Sequence, residues 1–226
     1  MSDAYLAEIA EQPGILDRLG EVFDATWGAA LGQVRADIQA GRFDRVVLTG
    51  MGGSLHGAHP AHLALTRTLP VPVLLWESGE LTQQAPGAVT ARTLLIAISQ
   101  SGESGEVRRL AEAATRPACV ISITNTADNA LARWADIAVA TQAGPERTAS
   151  TKTYTAGLAA THLVVAHLTG TAAGSAGEVR ALSHTVADLI ARLPIQADAA
   201  ARHLGHTAPL TVIGRGDSYA SAAMAA

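Results

Sequence analysis

Thr93-Leu94-Leu95-Ile96-Ala97-Ile98 runs without a charge into Ser99-Gln100-Ser101-Gly102-Glu103-Ser104-Gly105. Five apolar residues in succession show no polar alternation, so a strand at 93–98 is one buried on both faces. Four more runs of this kind lie at 45–49, 71–76, 118–123 and 137–140, bounded by Gly, Ser or Asn. Helical segments are predicted between them, near 54–68, 103–115 and 127–134. Strands apolar on both faces and spaced by helices predict an α/β fold: three layers, α-β-α, around a five-stranded parallel sheet.

Upstream, Leu16, Leu19, Val22, Phe23, Trp27, Leu31, Val34 and Ile38 recur at three- and four-residue steps, so 4–11 and 13–40 read as helices separated by Pro13 and Gly14. Downstream, a helix is predicted at 150–169, a linker at 170–175, further helices at 176–192 and 196–204, and a sixth strand-like run at 209–214. The unit of apolar strand, Gly-x-Gly, Ser and small-residue helix at 46–60 recurs at 210–225, a weak internal repeat. This divides the chain into N-terminal helices (1–34), a first lobe (35–170), a helical connector (171–208) and the start of a second lobe (209–226).

The 226 residues are enough to bury a core. With 20 acids, 16 bases and a formal net charge of −4 there is no basic face for a phosphate backbone, so nucleic acid is not an expected partner. No apolar stretch approaches the ~20 residues of a membrane span, and the first residues lack a basic and an apolar signal region. A cytoplasmic protein is expected. Cys119 has no partner for a disulfide and reads as a buried strand residue. His56, His59 and His62 fall at three-residue steps, but Pro60 among them and the lack of nearby carboxylates favour a helix surface over a metal site, so no metal and no cofactor are expected. There are fifteen arginines and a single lysine, Lys152, which marks a position where a compact ammonium is not interchangeable with a guanidinium, unless the count is chance.

In open parallel sheets ligands bind beyond the carboxyl ends of the strands. Three loops there stand out. Thr49-Gly50-Met51-Gly52-Gly53-Ser54 lets backbone amides approach a ligand closely. It opens like a dinucleotide fingerprint, with Glu77 at the end of the second strand, but Leu55 stands where the third glycine belongs. Ser99 to Gly105 offers hydroxyls and an amide suited to a phosphate dianion; alternatively Ser101 is an N-cap, with Glu103 and Glu106 compensating the helix dipole. Gly102-Glu103-Ser104-Gly105-Glu106 does not fit a hydrolase elbow, since Glu106 occupies its last glycine position. The third loop, Ala143 to Lys152, is again hydroxyl-rich and carries the sole lysine. Together the loops read as a pocket for a polyhydroxylated, phosphorylated ligand.

These residues resemble the sugar isomerase (SIS) domain family, and within it the isomerase half of glucosamine-6-phosphate synthase and related phosphosugar isomerases and deaminases. Glu8-Ile9-Ala10-Glu11-Gln12-Pro13 resembles the family's E-I-x-E-Q-P leader, and 99–104 its S-Q-S-G-E-[ST] phosphate loop. Residues 143–155 resemble its A-G-x-E…A-S-T-K-x-[FY]-T segment, and Gly214-Arg215-Gly216-Asp217-Ser218-Tyr219 the G-R-G-x-x-Y that opens a second lobe. The resemblance covers nearly the whole chain. It implies a flavodoxin-like SIS fold with the start of a second SIS lobe, a likeness to homodimers, and a small-molecule sugar phosphate as partner. By resemblance Ser99, Gln100, Ser101 and Ser104 bind the phosphate, while Gly52, Gly53, Ser54, Thr148, Ser150 and Lys152 line the sugar. Gly53 stands where the synthase has threonine and Met51 where it has cysteine; Gly-Met-Gly-Gly-Ser is similar to the phosphoglucose/phosphomannose isomerase branch instead.

The family moves a proton between C1 and C2 of an open-chain sugar phosphate, with a glutamate as general base. On the resemblance that glutamate, a Schiff-base lysine and a ring-opening histidine fall after Ala226, and no glutaminase domain precedes the lobe. The expectation is a sugar-phosphate-binding lobe of an isomerase or deaminase whose catalytic residues lie outside this sequence; the alternative is a sugar-phosphate sensor. A second lobe cut after its first turn is expected to lower stability.

Overall fold

The computed structural model describes residues 3–112, 115–147, 149–204 and 211–225. Its sheet is built from β1 (Arg45–Gly50), β2 (Val73–Glu77), β3 (Thr93–Ile98), β4 (Cys119–Thr124) and β5 (Ile137–Ala140), all parallel, in the spatial order β2-β1-β3-β4-β5. Val46 lies opposite Val73 and Leu94, and Leu94 opposite Cys119. This register puts Val46, Leu48, Ile96, Ile121 and Val139 on one face and Val47, Leu95 and Val120 on the other. Both faces are apolar because both are covered.

The first face carries α2 (Gln12–Phe23), α3 (Ala29–Gln39), α4 (Gly53–Thr68) and α8 (Lys152–Thr169). The second carries α5 (Ser78–Gln83), α6 (Gly105–Ala111) and α7 (Ala130–Trp134), through Leu81, Leu110, Leu131 and Trp134. A short α1 (Asp3–Ala10) precedes α2. A π-helical turn at Asp24–Gly28 joins α2 to α3 within the single helix predicted at 13–40. From that turn Trp27 donates its indole N–H to the Ala138 carbonyl at 2.8 Å, occupying a backbone acceptor of edge strand β5. Cys119 is buried, and burial first, with the Asp136 carboxylate second, pushes its thiol up to about 11, which leaves it protonated and inert.

Several local features differ from the sequence reading. Helix α6 starts at Gly105, not 103, because Ser104 caps it, its Oγ accepting the Val107 N–H at 3.3 Å. Helix α5 was not anticipated; Glu77 starts it by accepting the Glu80 N–H at 2.9 Å. The two segments predicted at 176–192 and 196–204 are one helix, α9 (Ser175–Leu204), with the exposed Pro194 inside it. Of the run predicted as a strand at 209–214, residues 209 and 210 lie outside the described residues, and 211–215 form no strand. A 3-10 turn at Gly216–Ser218 follows, then α10 (Tyr219–Ala225), which packs on α4 with the Tyr219 ring 4.7 Å from that of His59. His59 and His62 are therefore half-buried, not on an open helix surface. No helix among the described residues is long and apolar enough to cross a membrane.

Helix α9 approaches α2 at Gly20, where an added Cβ would lie 2.6 Å from the Ala176 carbonyl oxygen and 2.6 Å from Arg180 Cγ. Beside it Arg180 bonds Asp17 at 3.1 Å. Gly20→Ala should gain about 1 kcal/mol of helix propensity yet lose more to overpacking, typically about 1–3 kcal/mol. A net fall in the urea midpoint is the expected outcome; a rise would show that α9 moves off α2 freely.

Candidate functional site

Strands β1 and β3 are neighbours, but the chain leaves β1 for α4 on one face and β3 for α6 on the other. Their loops part, and a crevice opens beyond their carboxyl ends, where open α/β sheets bind ligands. Two adjoining hollows occupy it. The smaller, about 190 Å³, is lined by Met51, Ser54, Ser99, Gln100, Ser101 and Ser104 among others. The larger, about 340 Å³, includes Met51, Gly53, Ser54, Gln100, Asn125, Glu146, Ser150, Thr153 and Tyr154 in its wall. The four residues expected to take a phosphate thus converge on one hollow, and Gly53, Ser54 and Ser150 on the other. Gly52 makes the turn between β1 and α4 with φ +49. Thr148 lies outside the described residues.

The serine loop is an acceptor array on its inner side. Ser99 Oγ accepts the Gly102 N–H at 3.1 Å, Ser101 Oγ the Glu103 N–H at 3.2 Å, and Ser104 Oγ the Val107 N–H. With a lone pair of each oxygen so engaged, all three O–H groups remain to donate elsewhere. Gly102 makes the loop possible: its φ is +64, and a Cβ would lie 2.0 Å from Asn129 Oδ1. Asn129 in turn caps α7 by accepting the Ala132 N–H at 2.8 Å and donates to the Thr126 carbonyl at 2.6 Å.

Two carboxylates stand near the crevice, and both are occupied. Glu103 turns away toward α7, accepting the Ala130 N–H at 2.7 Å and pairing with Arg108 at 3.0 Å and Arg133 at 3.6 Å. The Ala130 amide first, then Arg108, hold its carboxyl below the usual range. It does not compensate α6 from within the first turn, as the sequence suggested; Glu106 does stand in that turn. Glu146 lines the larger hollow. Its Oε1 accepts from the Thr151 N–H at 2.8 Å, the Thr151 hydroxyl at 3.0 Å and the Thr153 N–H at 3.3 Å, and its Oε2 from the Thr153 hydroxyl. Burial raises its pKa, but the bonds from Thr153 and Thr151 together outweigh burial and hold it below the ordinary value.

Lys152, expected beside the sugar, is placed elsewhere. It is 2% exposed, and its ammonium bonds Glu11 at 2.6 Å. Three residues that sequence reading left unassigned hold the β5–α8 loop. Asn125 accepts the Ala143 N–H at 2.8 Å and donates to the Gly144 carbonyl at 2.8 Å; buried Glu8 accepts the Arg147 N–H at 2.8 Å; Gln12 accepts from the Thr155 hydroxyl at 2.7 Å. Glu8 and Gln12 lie in the leader motif, so their signal was visible but not their target.

The lowered pKa of Glu146 makes its stabilisation fully present above the unfolded value of 4.5 and lost as pH falls through the lower folded value. The stability advantage of the wild type over Glu146→Gln, followed by urea unfolding, should therefore shrink as pH falls from neutral to about 3; a difference that stays constant would show that Glu146 does not hold the loop as an anion.

Among curated proteins, the chain is 34% identical over 165 residues to glutamine–fructose-6-phosphate aminotransferase [isomerizing] of Pyrococcus horikoshii, covering 72% of this chain and 27% of that protein. With the protein of the same name from Streptomyces coelicolor it shares 31% identity over 216 residues, 93% of this chain and 34% of that one. The chain thus spans about a quarter to a third of the length of these relatives. Among solved structures, the C-terminal domain of glucosamine-fructose-6-phosphate aminotransferase from Francisella tularensis superposes with a TM-score of 0.72 at 21% identity, covering 98% of this chain and 65% of that one. Tagatose-6-phosphate ketose/aldose isomerase from Escherichia coli gives 0.68 at 20% identity, covering 96% and 60%. Residues 42–167, more than half of the chain, match the SIS domain, and the protein belongs to that family.

Proposed function

We propose that the smaller hollow takes the phosphate of a phosphorylated sugar on Ser99, Gln100, Ser101 and Ser104, and that the sugar lies against Gly52, Gly53, Ser54, Thr148 and Ser150. The observation that carries this is the arrangement of the serines: each Oγ is pinned by a backbone N–H, so three hydroxyls are pre-oriented as donors around one hollow. A dianion suits three converging donors, and Glu103 of the same loop is engaged by Arg108 and Arg133. The likeness to aminotransferases named for fructose 6-phosphate supports the sugar class.

In the complete protein the reaction is aldose–ketose isomerisation or deamination of an (amino)sugar 6-phosphate. Either needs a general base within hydrogen-bond reach of a carbon-bound proton. Glu146 is the carboxylate in the wall of the larger hollow, and with four hydrogen bonds on its oxygens it serves as a loop anchor, not as that base. The base therefore comes from outside the described site. The same proposal takes 35–170 as one lobe, 171–208 as a connector and 209–226 as the start of a second lobe, in a cytoplasmic homodimer. The engaged state of Glu146 also favours a second reading, a sugar-phosphate-binding module without catalysis of its own.

Titration calorimetry separates these readings. Fructose 6-phosphate or glucosamine 6-phosphate should bind saturably, and Ser101→Ala with Ser104→Ala should weaken binding by about 100-fold or more, since each hydrogen bond to a charged group contributes about 1.5–3 kcal/mol. Unchanged affinity in the double variant would sink the phosphate assignment. Deuterium incorporation from D2O at C1 of fructose 6-phosphate, or at C2 of the aldose formed from it, identifies catalysis by this chain; binding without incorporation identifies the module.

A further inference from the structure

Glu8, Glu11, Gln12 and Ile15 fall at three- and four-residue steps across α1 and α2, and all four touch one segment about 140 residues away in the chain. Glu8 holds the Arg147 amide, Glu11 the Lys152 ammonium and Gln12 the Thr155 hydroxyl, and Ile15 packs with Ala143 and Ala156. None of the four lines either hollow. The loop they grip carries Glu146 and Ser150 into the larger hollow.

The ion pair is the central contact. Lys152 is the first residue of α8, and its Nζ lies 3.6 Å from where a Gly144 side chain would begin, so the ammonium sits under the start of the loop that it ends. A buried ammonium needs a counter-charge, and removing one partner of such a pair leaves the other uncompensated. The half-exposed Glu11 supplies that charge from the turn between α1 and α2, where it is the N-cap of α2. Loop closure and the docking of the α1–α2 turn are thereby coupled.

We infer that Glu11, with Glu8 and Gln12, is a positioning residue that fixes loop 143–151 through Lys152, so that affinity for the sugar portion of the ligand depends on the junction of α1 and α2 while affinity for its phosphate does not. This rests on the functional reading above. The serine loop is held by the amides of residues 102–107, by the Leu131 N–H on the Gly102 carbonyl at 3.1 Å and by the Asn125 N–H on the Gln100 carbonyl at 3.0 Å, none of them from α1 or α2.

The test uses the full chain as wild type, Glu11→Ala, Glu11→Asp and the double variant Glu11→Ala with Lys152→Met, titrated with fructose 6-phosphate and separately with inorganic phosphate. Hydrogen exchange of the 143–151 amides and melting temperature are followed in parallel. If the competent loop population falls to about a tenth, Glu11→Ala loses about tenfold in sugar-phosphate affinity. Inorganic phosphate should bind as in wild type, and loop exchange should accelerate. Glu11→Asp should recover part of the sugar affinity. The double variant removes both charges and should recover the melting temperature without recovering sugar affinity. Should Glu11→Ala fail to fold, the double variant decides alone. Unchanged sugar affinity, a parallel loss for inorganic phosphate, or full recovery of sugar affinity in the double variant would overturn the inference. If wild type binds no sugar phosphate, the functional reading fails and loop exchange decides this one: acceleration in Glu11→Ala upholds the coupling, and unchanged exchange removes it.

Discussion

A parallel sheet that is apolar on both faces has to be wrapped on both faces, and the rest of the molecule follows from that constraint. Wrapping requires crossover helices, the helices return the chain to the same end of the sheet each time, and all loops that follow strands collect at one rim. At β1 and β3 the wrapping changes face, and the rim splits into the crevice described above. The chemistry is concentrated there because the interior is mostly apolar: Val46, Val47, Leu94, Leu95 and Ile121 fill it, and its buried polar side chains are the hydroxyls of residues such as Thr49, Thr93 and Ser122.

Among the described residues that line the two hollows there is no lysine or arginine. The donors are neutral hydroxyls, each restrained by a backbone amide, and the two nearby carboxylates are engaged by their own contacts: Glu103 by Arg108, Arg133 and an amide, Glu146, still an anion, by Thr151 and Thr153. On the proposed reading an anion would be recognised by restrained dipoles, which depends on pre-organisation more than on charge and accords with the many contacts around the loops that hold the loops themselves.

The strands were legible in the sequence because a doubly covered strand needs an unbroken apolar run, and no other requirement imitates it over five or six residues. The serine loop was legible for a similar reason: glycine at 102 and hydroxyls at 99, 101 and 104 have few joint uses. What the sequence concealed was direction and partnership. Nothing near Glu103 reveals that it faces α7, since Ala130 and Arg133 approach it only in the folded chain. Lys152 stood out by composition, but its partner lies 141 residues away. Pro194 reads locally as a break, yet α9 passes through it where the unmet backbone group is open to water. Glycine and hydrophobic repetition at 209–214 suggested a strand, and a strand forms only where another edge receives it.

The grip of the α1–α2 junction on the far segment also orders events in time. Glu8, Glu11 and Gln12 bond residues 139, 141 and 143 positions downstream. At roughly 5–20 residues per second of synthesis, the first helix waits about 7–30 s for its partners to be made. The sheet and its serine loop can assemble during that interval from segments closer together in sequence, whereas the lysine-bearing loop is secured only once its partners from the α1–α2 segment reach residues 143–155. The side of the crevice built on the serine loop thus rests on local contacts, and the side built on the lysine-bearing loop on contacts about 140 residues apart in sequence.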